Sequence, residues 1–161
     1  MSQSVPQEPV ERVRALVERV VEAFDLDADV DVEETPDEIR ATVDGEDLGA
    51  LIGRHGATID ALQYLAVRAA FAPGADRKTV VVDAAGYRER RAQALHREAD
   101  RAVADALRED HAVELEPMSA AERKVVHTYL SERADVETHS EGDEPNRRLV
   151  VSPGQALRDP E

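Results

Sequence analysis

Cysteine is absent from this 161-residue chain, which excludes disulfides and thiolate metal sites. Aromatic residues make up only 3% of it, so its cores are expected to be built from Val, Leu, Ile and Ala, and a broad platform of stacked rings is not expected. No segment approaches the roughly 18 consecutive apolar residues that a membrane helix needs. The opening Met-Ser-Gln-Ser-Val-Pro-Gln-Glu-Pro has no basic stretch leading into an apolar one, so a secretion signal is not expected either. The chain reads as soluble and cytoplasmic. Catalytic signatures are also missing. There is no Gly-x-Ser-x-Gly elbow and no Walker loop, and His55, His96, His111, His127 and His139 lack metal-ligand spacing. The many Asp and Glu residues are scattered as on a solvated surface. No enzyme activity, metal or cofactor is expected.

Positive charge is scarce, with 20 Lys and Arg against 35 Asp and Glu for a net charge of −15. That balance opposes nucleic acid as a partner, but its distribution does not. Residues 1–49 hold 4 basic and 15 acidic groups, and residues 92–161 hold 9 and 16. Residues 50–91 hold 7 and 4, which makes them the one positive window.

Periodicity organises the chain into two small modules. Val13, Leu16, Val17, Val20, Val21 and Phe24 form a helical stripe after a polar lead-in over residues 1–9. Val30 and Val32, then Ile39, Ala41 and Val43, alternate with polar residues as an antiparallel pair. Leu48, Leu51 and Ile52 form a short helical turn, and Ile59, Leu62, Leu65, Ala66, Ala69 and Ala70 mark a further helix. The run Val80-Val81-Val82 reads as a strand covered on both faces or at the centre of a sheet. A long helix follows from Tyr87 to Asp110, then a short strand at Val113–Leu115. Ser119 with Glu122 forms a capping box opening another helix, and two strands, 136–139 and 147–151, close the module. The expected organisation is α+β, with αββααβ over 10–83, αβαββ over 84–152, and a polar tail over 153–161.

The stretch Ile-Gly-Arg-His-Gly-Ala-Thr-Ile at 52–59 carries the chemistry. Two glycines flank two potential donors at the mouth of a helix, which points N–H groups at an anion such as a phosphate. About 0.4 Gly-x-x-Gly matches are expected by chance in this composition, so the loop's meaning comes from its position. Placed between the two middle helices of an αββααβ unit, it resembles the type II KH domain. That resemblance implies a clamp on the backbone of about four unpaired nucleotides. Gly53, Arg54, His55 and Gly56 would form the clamp, Ile52 and Ile59 would seat it, and bases would lie between the following helix and the strand at 39–43.

Arg123 and His127 stand at i and i+4 on one helical face and could meet one ligand together. Their setting, Leu-Glu-Pro-Met-Ser-Ala-Ala-Glu-Arg-Lys-Val-Val-His followed by Thr-His-Ser-Glu-Gly-Asp-Glu-Pro-Asn-Arg-Arg, is similar to the Arg-x-x-x-His (R-three-H) domain of the bacterial Jag family. In that family the domain follows a KH domain through a Tyr-Arg-x-x-Arg segment, matched here by Tyr87-Arg88-Glu89-Arg90-Arg91. The resemblance implies a single-stranded RNA-binding regulator or chaperone, with single-stranded DNA as the open alternative ligand. It also implies association with a second small KH protein. Lys124, Arg147 and Arg148 would assist Arg123 and His127, while Arg88, Arg90 and Arg91 would continue the positive track. Jag proteins often carry a further N-terminal domain, and functions tied to it are not carried over. The alternative class is a protein–protein adaptor that keeps the KH fold as a scaffold.

Overall fold

A computed structural model describes residues 8–75 and 77–155. The chain divides into two compact units after Arg88. Most of the expected lead-in and tail lies outside the described residues. Pro9, however, opens the first helix and Pro153 closes the last strand.

The first unit contains α1 (Pro9–Ala23), β1 (Ala28–Glu34), β2 (Glu38–Gly45), α2 (Gly49–Ile52), α3 (Ala57–Ala70) and β3 (Thr79–Ala84). A single 3₁₀ turn, Arg54–Gly56, separates α2 from α3. Pro9 suits the first turn of α1 because its missing N–H has no intrahelical acceptor there. Val13, Val17 and Val21 recur every four residues and are buried. β1 and β2 pair antiparallel with Val30 opposite Val43 and Val32 opposite Ala41. β2 and β3 pair parallel with Ile39 opposite Val80 and Ala41 opposite Val82. Period-two alternation therefore sends Ile39, Ala41, Val43, Val80, Val82 and Ala84 into one core with α1 and α3.

Two sequence expectations are corrected here. The Val80–Val82 run is not central: the sheet order is β1-β2-β3, so β3 is an edge strand. Its three valines are divided between faces, Val80 and Val82 buried and Val81 half-buried. Leu65, placed with the apolar face of α3, is 52% exposed, because Ile59, Leu62, Ala66 and Ala70 fill the buried stripe without it.

The second unit is built on α4 (Tyr87–Glu109), β4 (Val113–Glu114), α5 (Ala120–Leu130), β5 (Val136–Glu141) and β6 (Arg148–Pro153). The first two residues of α4 belong with the first unit: Tyr87 packs against its core, and Arg88 bonds to Asp60 and Val82. β6 lies between β4 and β5. Leu149 and Val151 from β6 meet Leu95, Ala99, Val103 and Ala106 of α4, and Val126 and Leu130 of α5, in a second core.

Candidate nucleic-acid interface

The glycine loop is held from both sides by local geometry. Leu51 and Ile59 are fully buried on either side of it. The seat before the loop is therefore Leu51 rather than the expected Ile52, which is only half-buried against the core. Gly53 adopts φ 75°, ψ 175°, a region open essentially to glycine alone. Its N–H bonds to the Gly49 carbonyl at 2.8 Å. A Cβ at Gly53 would lie 2.3 Å from Thr58 Oγ1 and 2.8 Å from the Thr58 backbone nitrogen. Gly56 has φ 78°, and a Cβ there would meet the Tyr87 ring at 2.7 Å. Between them Arg54 and His55 are exposed, with His55 itself left-handed at φ 53°. Neither side chain has a hydrogen bond or ion pair among the described residues. The next residue, Ala57, opens α3 and donates its N–H to the Arg54 carbonyl; the N–H groups after it lie in the first turn of the helix, where intrahelical acceptors are lacking. The loop thus presents two unengaged donors and a helix N-terminus at one place.

Replacing Gly53 by Ala should lower stability by about 1–3 kcal/mol, because the clash involves backbone and φ is unfavourable for L residues. Gly49→Ala is the control: nothing lies within 4 Å of its Cβ position, and it is helical, so it should leave stability unchanged or slightly raised. Urea unfolding of both variants checks the contrast.

The strand beside α3 is not the one expected. Ile39, Ala41 and Val43 are fully buried and cannot line a base groove. It is β3 that runs along α3, and side chains cover its outer edge. The Val82 N–H donates to Gln63 Oε1 at 3.0 Å, and the Val82 carbonyl accepts from Arg88 Nε at 2.8 Å. Arg88 Nη1 also bonds Asp60 Oδ1 at 2.9 Å, and Nη2 is buried without an acceptor among the described residues. Arg88, expected to meet a phosphate, is thus engaged with the protein and neutralises the one carboxylate of α3.

In the second unit the Ser119 capping box is present in full. Glu122 Oε1 also accepts from Arg91 Nε at 2.6 Å, so this arginine too has a protein partner. Arg123 and Glu122 are both buried. Arg123 Nη1 donates to the Met118 carbonyl at 2.7 Å, and Nη2 to Glu144 Oε1 at 2.6 Å. Arg123 and His127 lie one turn apart as expected, but in different surroundings. His127 is exposed, with Nδ1 2.6 Å from Thr138 Oγ1, which leaves Nε2 turned to other partners. Lys124 is exposed and has no ion pair among the described residues. Arg147 donates to the Gly142 carbonyl at 2.7 Å and Arg148 to Glu114 at 2.9 Å. Tyr129 stacks on His96 with ring centroids 4.0 Å apart. Its hydroxyl is bound to Asp100, and that bond holds it above the usual tyrosine pKa. Among the described residues no cluster of His, Asp or Glu is placed to hold a metal, and no helix is long and apolar enough to cross a membrane.

Comparison with known proteins matches residues 10–83 to the KH domain of KhpA/KhpB and residues 93–153 to the R-three-H domain. The chain is 33% identical over 147 residues to the RNA-binding protein KhpB of Bacillus subtilis, covering 90% of this chain and 71% of that protein. The chain belongs to the KhpB (Jag) family. It is also 36% identical over 138 residues to KhpB of Clostridium symbiosum, covering 84% of this chain and 62% of that protein. With KhpB of Lactiplantibacillus plantarum it shares 39% over 143 residues, 87% of this chain and 44% of that protein. The chain thus spans between 44% and 71% of the length of these relatives. The glycine loop lies in the KH match, and Arg123 and His127 lie in the R-three-H match. The fold is α+β, a type II KH domain followed by an R-three-H domain, as the order of elements indicated.

Several partner residues escaped the sequence reading. Gln63 and Asp60 secure the β3 edge, Glu144 binds Arg123, and Thr138 orients His127. Each is an ordinary polar residue in sequence. Only its placement beside a distant partner gives it a role.

Proposed function

We propose that this chain is a cytoplasmic, non-catalytic single-stranded RNA-binding protein that acts as a post-transcriptional regulator or RNA chaperone. The observation that carries this reading is the glycine-fixed turn that leaves Arg54 and His55 unengaged at the start of α3. There the loop and helix N–H groups meet phosphate oxygens, and the two side chains add charge-assisted donors. In the R-three-H domain, Lys124 and His127 Nε2 make the contact, while Arg123 acts as a positioning residue that ties the 141–147 turn to α5. The relatives carry the name RNA-binding protein, which agrees with this reading.

Fluorescence anisotropy with a labelled single-stranded RNA tests it. Binding is expected at low salt and should weaken about tenfold between 50 and 200 mM, as for a strand held through a few phosphates. No binding at low salt overturns the reading. The same oligonucleotide as DNA measures the choice of sugar, and pull-down with a second small KH protein tests that partner. The adaptor reading has one observation in its favour: Asp29, Asp31 and Glu33 stand exposed in a row on β1, a surface suited to a basic partner. It predicts that association with protein survives when Arg54 and His55 are changed.

A further inference from the structure

α3 buries Ile59, Leu62, Ala66 and Ala70 and turns Ala57, Ala61, Tyr64, Leu65 and Arg68 to solvent. Two of these are out of place on a solvated helix: Tyr64 is 60% exposed and Leu65 52%. The chain has only three Tyr and two Phe, and here one of those rings lies outside either core. Nor is the ring loose. Arg68 Nη2 donates to the Tyr64 hydroxyl at 3.2 Å, and the guanidinium carbon lies 5.4 Å from the ring centroid.

The position of this ring relative to the clamp is set by the helix itself. Tyr64 stands seven residues and Arg68 eleven residues after Ala57, so they lie roughly 10 Å and roughly 16 Å along the axis from the start of α3. Helical side chains lean toward the N-terminus, which brings the ring over the turn nearer the Gly53–Gly56 loop. Ala57 and Ala61 on that side are too small to cover it. The strip is also positive in a chain of net charge −15. It carries Arg54 and Arg68, and the single acid of α3, Asp60, is paired with Arg88. That charge favours a polyanion over an apolar protein surface.

We infer that Tyr64 and Arg68 form a base-stacking seat that extends the phosphate clamp along α3, taking a nucleobase of a single-stranded strand on the ring and the following phosphate on the guanidinium. The inference rests on the RNA-binding reading above and adds to it a site outside the glycine loop. A π-face accepts any base, so the seat contributes affinity rather than sequence choice. The Arg68 bond holds the ring ready, which lessens the ordering cost on binding.

Anisotropy with labelled single-stranded RNA, using Tyr64→Ala, Tyr64→Phe and Tyr64→Trp in the full chain, tests the seat. Tyr64→Ala should weaken binding about tenfold, within the range of one lost base–aromatic stack, and Tyr64→Phe should bind within twofold of the native chain. The native chain has no tryptophan, so emission from Tyr64→Trp should be quenched by RNA with the same midpoint as the anisotropy change. Native-like affinity of Tyr64→Ala overturns the seat while leaving the clamp intact, even if that variant fails to bind a protein partner. Unquenched emission at full RNA occupancy overturns it too. Failure of the native chain to bind RNA overturns both the seat and the reading beneath it.

Discussion

Changing Arg54 and His55 together to Asp should reduce affinity for single-stranded RNA about a hundredfold or more, since each charge-assisted hydrogen bond contributes about 1.5–3 kcal/mol and each position gains repulsion. The fold should survive the change. Both side chains are exposed and have no partner among the described residues, so nothing inside the protein loses a bond. Backbone strain does not rise either. His55 sits at φ 53°, and Asp is among the residues that tolerate the left-handed region. Anisotropy measures the affinity, and urea unfolding checks that the midpoint has moved little. A double variant that binds RNA as the native chain does would refute the clamp.

Arg123→Met should have the larger effect on stability, about 2–3 kcal/mol, because it removes a charge-assisted bond and leaves a carbonyl without its donor. The Met118 carbonyl and Glu144 both depend on this guanidinium, and the arginine side chain is only 10% exposed. Glu144, at 58%, can turn to water once released. Glu144→Gln should therefore cost under about 1 kcal/mol, in line with other largely exposed ion pairs. Arg123→Lys should not restore the native value, since one ammonium cannot reproduce a fork that reaches two acceptors in different directions. Urea unfolding midpoints give the comparison. If Arg123→Met instead keeps its stability and loses RNA affinity, the guanidinium contacts the ligand directly and is not a positioning residue.

How much of the site was legible depended on how local its causes are. The loop at 53–56 could be read because its requirements lie within a few residues: Gly53 must avoid Thr58, and α3 begins at once. The Ser119–Glu122 capping box was legible for the same reason. Arg88, Arg91 and Arg123 looked in sequence like three free cations. Their partners Asp60, Glu122 and Glu144 lie 28, 31 and 21 residues away, and no local pattern links such pairs. The alternation of Ile39, Ala41 and Val43 with polar residues was legible, but not that their burial removes them from the groove. That consequence depends on β3, and not β2, occupying the edge along α3.

By itself, then, the sequence determined the order of helices and strands, the alternation in β1 and β2, and the family. These follow from periodicity, turn chemistry and short-range motifs, which act over a few residues. The tertiary structure alone decided which cations are engaged with the protein and which remain for a ligand. It also decided that β3 lies at the edge, that Leu51 seats the loop, and that Tyr64 stays outside the core beside Arg68. These outcomes turn on which distant side chain reaches a given donor or space first. That competition exists only once the chain has packed.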